Sequence, residues 1–282
     1  MGSYDLASVR PAAVAGMFYP EVPSTLAAEV RAHLAAGEAR REPGANVPKA
    51  IIVPHAGYVY SGPIAASAYA RLASARDTIR RVVLLGPTHR VLVRGLALPS
   101  VEAFATPLGS VAVDRAAVDL ALTLRQVVTN DAAHALEHSL EVQLPFLQAA
   151  LGTFSIVPFA VGDATGIEVG EVLDLLWGGK ETLIVVSSDL SHYHRYADAR
   201  KVDRETGEAI LALSATLDHE QACGATPING LLLAAQRRRL RPQLLDLRNS
   251  GDTAGDKSRV VGYASFSFTE PELAQFGQNA RS

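Results

Sequence analysis

Three apolar runs of this 282-residue chain each end by delivering a histidine. Ile51-Ile52-Val53-Pro54 leads into His55, and Val82-Val83-Leu84-Leu85 into His89, two residues past Pro87. Leu183-Ile184-Val185-Val186 leads into Asp189 and His192. In an open α/β sheet, ligands bind in the crevice outside the carboxyl ends of the strands. Three strands that place imidazoles at one edge therefore imply a single polar site. Imidazole is the side chain best suited to bind a metal or move a proton near neutral pH.

Cys223, the only cysteine, is followed by Gly224 and then by Thr226 and Pro227, a good cap and first-turn pair. That order places the thiol at or just before a helix N-terminus, where the dipole favours thiolate. A thiolate and two neutral imidazoles make a donor set for a soft-to-borderline divalent metal. His55, His89 and Cys223 are the candidates. The alternative is an inert, half-buried cysteine and two histidines closing strand ends. No local ligand motif such as HExxH decides between the two.

Asp189 and His192 lie three residues apart just beyond a core strand. A carboxylate that near can orient an imidazole and raise its basicity, leaving His192 to act as general acid or base. The same segment also reads as a helix cap. Further along, Glu137-His138-Ser139 opens a helical stretch in which His138 and Glu141 share a face. Either can line the site, and Ser139 reads equally well as a cap. His33 and His219 in polar helical surroundings and His134 in a loop read as structural, and His194 as solvent-facing. Gly178-Gly179-Lys180 lacks the upstream glycine of a P-loop, and neither G-x-G-x-x-G nor G-x-S-x-G occurs. Standard nucleotide binding and α/β-hydrolase chemistry are thereby disfavoured.

The elements that must hold these groups alternate along the chain. Ser24 to Ala35 reads as an amphipathic helix capped by Ser24, with Leu26, Val30 and Leu34 on one stripe. Residues 37–48 form a loop into a buried strand at 50–54. Gly57 and Gly62 flank a turn, and Pro63 to Leu72 reads as a helix with proline in its first turn. A core strand at 81–86 is followed by short β segments at Leu96 to Leu98 and Val111 to Val113. Asp114 caps a helix to about Leu124. His138 to Leu151 reads as a helix kinked at Pro145. Strands at Ser155 to Val161 and 182–187 bracket a helix at 166–176. Helices at 198–213 and from Thr226 precede a closing strand, Arg259 to Phe268. The turn-rich loop around Asn249 to Ser258 lies just before it. Without any linker-like stretch, this order predicts one α/β domain over 1–270, with a central, largely parallel or mixed sheet flanked by helices. A polar tail covers 271–282.

Composition narrows the partners. A formal charge of −3 and the lack of a basic block argue against nucleic acid. Arg237-Arg238-Arg239 reads as a complement to a helix C-terminus. A single cysteine excludes an internal disulfide framework and fits a reducing compartment. Met1 to Asp5 has neither a basic nor an apolar leader region. No apolar run approaches the roughly 20 residues that span a bilayer. The expectation is a soluble, cytoplasmic protein with no membrane partner.

Pro54-His55-Ala56-Gly57-Tyr58-Val59-Tyr60-Ser61-Gly62, Leu85-Gly86-Pro87-Thr88-His89 and Glu137 to Phe146 resemble the Memo family. So do Val186 to His192 and Cys223 to Ile228, while Ala15 to Tyr19 is similar to the family's opening motif. In prokaryotes the family is called AmmeMemoRadiSam system protein B, and the resemblance runs from about Val9 to Phe268. It implies a fold similar to class III, non-haem-iron extradiol dioxygenases. It also implies metal ligands at His55, His89 and Cys223, with His192 matching an additional active-site histidine. Fe(II) is the implied metal, with copper or zinc as alternatives, because a thiolate replaces the dioxygenase carboxylate. Thiolate is softer and itself oxidisable, which puts ring cleavage in doubt. The implied functions are a metal-dependent oxidoreductase, a non-catalytic accessory to radical-SAM and AMMECR-type partners, or a metal-handling protein. Phe18, Tyr58 and Tyr60 would wall a pocket for a small molecule or peptide.

Overall fold

The computed structural model describes residues 8–41 and 46–271. Twelve strands form among the described residues: β1 (Val9–Arg10), β2 (Ala50–Val53), β3 (Arg81–Pro87), β4 (Leu96–Leu98), β5 (Ala103–Thr106) and β6 (Gly109–Val113) come first. They are followed by β7 (Val127–Thr129), β8 (Ser155–Val161), β9 (Thr182–Ser187), β10 (His192–His194), β11 (Arg241–Asn249) and β12 (Val260–Thr269). One mixed sheet joins them in the order β1-β5-β6-β8-β3-β9-β2-β12-β10, with β11 paired to β12 and β4 linking β8 to β7. The central β8, β3, β9 and β2 are mutually parallel. Their Val/Ile/Leu runs are buried throughout, as expected where helices cover both faces of a parallel sheet.

The helices are α1 (Pro23–Glu38), α2 (Tyr58–Tyr69), α3 (Arg115–Ala121), α4 (Ala132–Ala135), α5 (Leu144–Ala150), α6 (Gly166–Leu175), α7 (Tyr196–Leu211), α8 (Ala225–Arg238) and α9 (Ser250–Thr253). On one layer α1 packs against α2; elsewhere α6 packs against α8, and α7 lies on β11 and β12. The result is the expected single-domain α/β architecture. Among the described residues no helix is long and apolar enough to cross a membrane. The expected tail after Pro271 lies outside the described residues.

Local chemistry accounts for most element ends. Asp114 caps α3 by accepting from the Ala117 amide, and Thr165 with Glu168 forms a capping box on α6. At the end of α8, Arg237 and Arg238 both reach Asp174, and Arg239 closes the helix in the left-handed region.

Several expected boundaries shift. Ser24 is not a cap: Val22 occupies that position and Pro23 starts α1. The helix expected from Pro63 begins five residues earlier, at Tyr58, and carries Pro63 inside it. Gly62 therefore serves packing rather than a turn, since a Cβ there would sit 2.8 Å from His33 Nε2. The helix expected from His138 starts at Leu144 after a 3₁₀ turn over Glu141–Gln143, so Pro145 lies in its first turn and kinks nothing. Thr226 lies inside α8, whose cap is Gly224. His134 lies in α4 rather than in a loop. Strands β1, β5, β7, β10 and β11 have no counterpart in the sequence pattern. They are short, carry histidines, or interleave charge and proline, so neither period dominates.

Candidate metal centre

The register of the central strands brings the histidines together. Val53 of β2 pairs with Ser187 of β9, and Leu85 of β3 with Val186 of β9. His55 and Asp189 thus follow their strands at the same level, and the buried Asp189 carboxylate accepts the His55 amide at 2.7 Å. His89 emerges two residues past β3. The loop before α5 then folds over the edge and adds His138.

The imidazoles of His55, His89 and His138 form one cluster. Ring centroids are 5.2 Å apart for His55 and His89, 5.3 Å for His55 and His138, and 4.6 Å for the stacked His89 and His138. One ring nitrogen from each lies within 4.8 Å of the others, close enough to share a metal ion. Phe18 packs on His138 at 4.7 Å. Cys223 approaches from the start of α8, and its Sγ lies 3.2 Å from His55 Nε2. Gly224 permits that approach: a Cβ there would meet Ser188 Cβ at 2.7 Å.

A buried shell holds these rings. Glu137 accepts the His89 amide at 2.6 Å on one oxygen, and His89 Nδ1 at 2.8 Å with the Ser139 amide at 2.9 Å on the other. Ser187 Oγ lies 2.9 Å from His55 Nδ1. Outside the cluster opens a cavity of about 1040 Å³ whose wall includes His89, His192, Tyr193, His219 and Cys223. Tyr193 is held in the left-handed region at φ 63°, a rare conformation for a bulky residue. The Arg259 guanidinium lies 5.0 Å over its ring.

Electrostatics favour neutral imidazoles. Burial lowers His55 well below the ordinary histidine range, and the neighbouring His138 and His89 lower it further. His138 is brought down to about 4, by burial first and against the pull of Glu137. Burial also lowers His192. For Glu137 burial acts upward, but the His89 ring and the amides of Ser139 and His89 outweigh it and bring the carboxyl down to about 2. Burial raises Asp189 to about 7, against the amides of His55 and Ala56.

The expectations for individual residues meet mixed outcomes. Burial, followed by the Asp189 charge, pushes the Cys223 thiol up to about 12, so the helix terminus does not by itself yield a thiolate. Asp189 turns to the backbone of His55, and among the described residues no hydrogen bond joins it to His192. His192 instead sits in edge strand β10, paired with Val261 of β12. Glu141 is committed elsewhere: its oxygens take Arg10 Nη1 at 2.6 Å, the Ala13 and Val14 amides and the Tyr19 hydroxyl. Tyr58 is a core residue that donates to the Val142 carbonyl, and Tyr60 is exposed on the first turn of α2. Neither is part of the cavity wall described above. Of the three aromatic residues, Phe18 alone touches a clustered histidine.

A family model for Memo-like proteins matches residues 10–267. The chain belongs to the Memo-like family. A MEMO1 family protein of Methanosarcina acetivorans is 40% identical over 271 residues, spanning 91% of this chain and 98% of the relative. One from Aquifex aeolicus is 37% identical over 281 residues, spanning 92% and 99%, and one from Methanopyrus kandleri is 36% identical over 285 residues, spanning 92% and 98%. The Memo-like match runs from Arg10 in β1 to Ser267 in β12, so every residue of the cluster lies inside it. Residue type and spacing do not single out Glu137, Ser187, Tyr193 or the wall position of His219. Only the adjacency of Glu137 to His138 offered a signal.

Proposed function

We propose that this Memo-like protein binds one divalent metal ion on His55, His89 and Cys223, and that it works as an oxidoreductase-like protein on a small molecule or peptide admitted by the adjoining cavity. The observation that carries this reading is the approach of the Cys223 sulfur to His55 Nε2, on a cavity wall that also includes His89; the group of ligand atoms within 4.8 Å of one another takes in His138 and leaves Cys223 outside. His55 suits such an ion, since burial holds its imidazole neutral and neutral imidazole is the ligating form, while the Cys223 thiol must give up its proton to ligate. Iron(II) is the metal we favour, with copper and zinc also suited to a nitrogen and sulfur set. A bound iron or copper ion would supply Lewis acidity and one-electron redox chemistry.

The chain's own residues perform the remaining tasks. Glu137 and Ser187 hold the imidazoles of His89 and His55, and Phe18 packs against the ring of His138. His192, on the cavity wall, moves a proton to or from whatever enters. A cytoplasmic setting, which rests on the single cysteine, and radical-SAM or AMMECR-type partners, which rest on the family resemblance, belong to the same proposal.

A second reading has its own observation. His138 brings a third imidazole nitrogen within 4.8 Å of the other two, so a metal can instead sit on three histidines and leave the thiol free. Metal stoichiometry after anaerobic loading separates the readings. His55→Ala and His89→Ala lose the ion under both; Cys223→Ser loses it only under the first, and His138→Ala only under the second. Unchanged stoichiometry in all four variants would sink both.

A further inference from the structure

The shell around the two strand-end histidines contains enough donors and acceptors to count protons. The Ser139 carbonyl can only accept, so the Ser187 hydroxyl proton points to it. The Pro54 carbonyl can likewise only accept, so the Gln143 amide turns its NH₂ toward Pro54 at 2.9 Å and toward Ser187 Oγ at 2.8 Å. The Tyr69 hydroxyl donates to the other end of that amide, Oε1, at 2.9 Å. Ser187 Oγ has therefore used its proton and one lone pair. What faces His55 Nδ1 is an acceptor, so Nδ1 must carry the hydrogen. His89 Nδ1 faces a carboxylate oxygen of Glu137 and must also donate.

We infer that the Tyr69–Gln143–Ser187 chain and the Glu137 carboxylate are positioning devices that fix a hydrogen on Nδ1 of His55 and of His89 and leave Nε2 as the nitrogen available to a ligand. The two locks share one hub. Ser139 gives its amide to Glu137 and takes the Ser187 hydroxyl on its carbonyl, while its own hydroxyl binds the Pro87 carbonyl at the end of β3. Gly86 lets that hub seat against the sheet, since a Cβ there would lie 2.8 Å from Ser139 Oγ. His138 has no such lock: among the described residues neither of its nitrogens makes a hydrogen bond, and it meets Glu137 only at 3.3 Å. The contrast singles out His55 and His89 as the pre-set pair and leaves His138 free to change tautomer. This deepens the proposed metal site, but the tautomers are a property of the metal-free chain.

Long-range ¹H–¹⁵N correlation of the imidazoles in metal-free protein at pH 7 tests it. His55 and His89 are expected as Nδ1–H forms, opposite to the Nε2–H form that histidine favours in water. His134 serves as an internal control: its Nε2 faces the Ala97 carbonyl at 3.0 Å and must be protonated. Ser187→Ala should return His55 alone toward Nε2–H and weaken zinc binding by about 10–100-fold, with Ser187→Thr restoring both. Glu137→Ala should do the same to His89, with Glu137→Gln restoring much of it through its amide oxygen. Hydrogen on Nε2 with none on Nδ1 of His55 or His89 in the unaltered chain would overturn the inference, and needs no variant to fold. So would a His55 tautomer indifferent to Ser187→Ala. If the tautomers hold but no variant changes zinc affinity, the metal reading fails and the locks remain.

Discussion

Cys223 Sγ and His55 Nε2 lie 3.2 Å apart although 168 residues separate them along the chain. The contact is built by two independent approaches: β2 delivers the imidazole, and the glycine-tight start of α8 delivers the sulfur against Ser188. The thiol is protonated at neutral pH, held up to about 12 by burial and by Asp189. Loading a metal on sulfur must therefore release a proton, whereas His55 and His138 are already neutral there. Zinc titrated calorimetrically in buffers of different ionisation heat should release close to one proton at pH 7, with apparent affinity rising about tenfold per pH unit. Cys223→Ser should flatten that slope. Proton release near zero in the unaltered protein would instead favour the three-histidine set.

His192 is expected to matter for reactivity and not for loading. It lines the cavity with His89 and Cys223 but lies outside the tight imidazole cluster. His192→Ala should keep metal with near-normal affinity, and oxygen or peroxide consumption by the iron-loaded protein should fall by about 10²–10⁴-fold, the usual weight of an acid/base group. Loss of metal as complete as in His89→Ala would make His192 a ligand.

The buried pair of Arg10 and Glu141 is expected to be the most sensitive point of the fold near the site. Arg10 also donates to the carbonyls of His134 and Glu137, so it braces the loop that carries Glu137 and His138. Arg10→Leu leaves a buried carboxylate whose remaining donors are neutral, a change that costs about 3–5 kcal/mol in comparable cases. Urea denaturation should show a shift of that size. A loss below 1 kcal/mol would mean the carboxylate is readily solvated or protonated.

Acid stability should carry the signature of a buried neutral histidine away from the cluster. Burial brings His134 down to about 4, with the Ala97 carbonyl opposing in part. Between pH 4 and 6.5 the unfolded chain binds more protons than the folded one, so stability rises with pH across that window and is lost on acidification. The share due to His134 is on the order of 3 kcal/mol. His134→Gln, which can still donate to Ala97, should shrink the loss between pH 7 and 4 by a measurable part of that amount. An unchanged pH profile would show that His134 titrates normally.

Local pattern alone was enough to locate the central strands. Ser155 to Val161 and 182–187 match β8 and β9 to the residue, because a strand buried on both faces must be continuously apolar whatever packs on it. The same reasoning placed His55, His89 and His192 at one sheet edge, since parallel strands end together. The destination of a polar side chain is a different matter. Glu137 and Glu141 are four residues apart on one segment, yet one holds the imidazole of His89 and the other neutralises Arg10 at the far end of the chain. Tyr58, adjacent to the site motif in sequence, turns into the core, while Ser187, an unremarked strand residue, faces His55. Spacing reports which face of an element a residue occupies. A hydrogen-bond partner is chosen by which loop closes over that face, and for His55 and His89 the closing segment, from Glu137 to Gln143, comes from elsewhere in the chain and is set only when the sheet, β1 and α5 pack together.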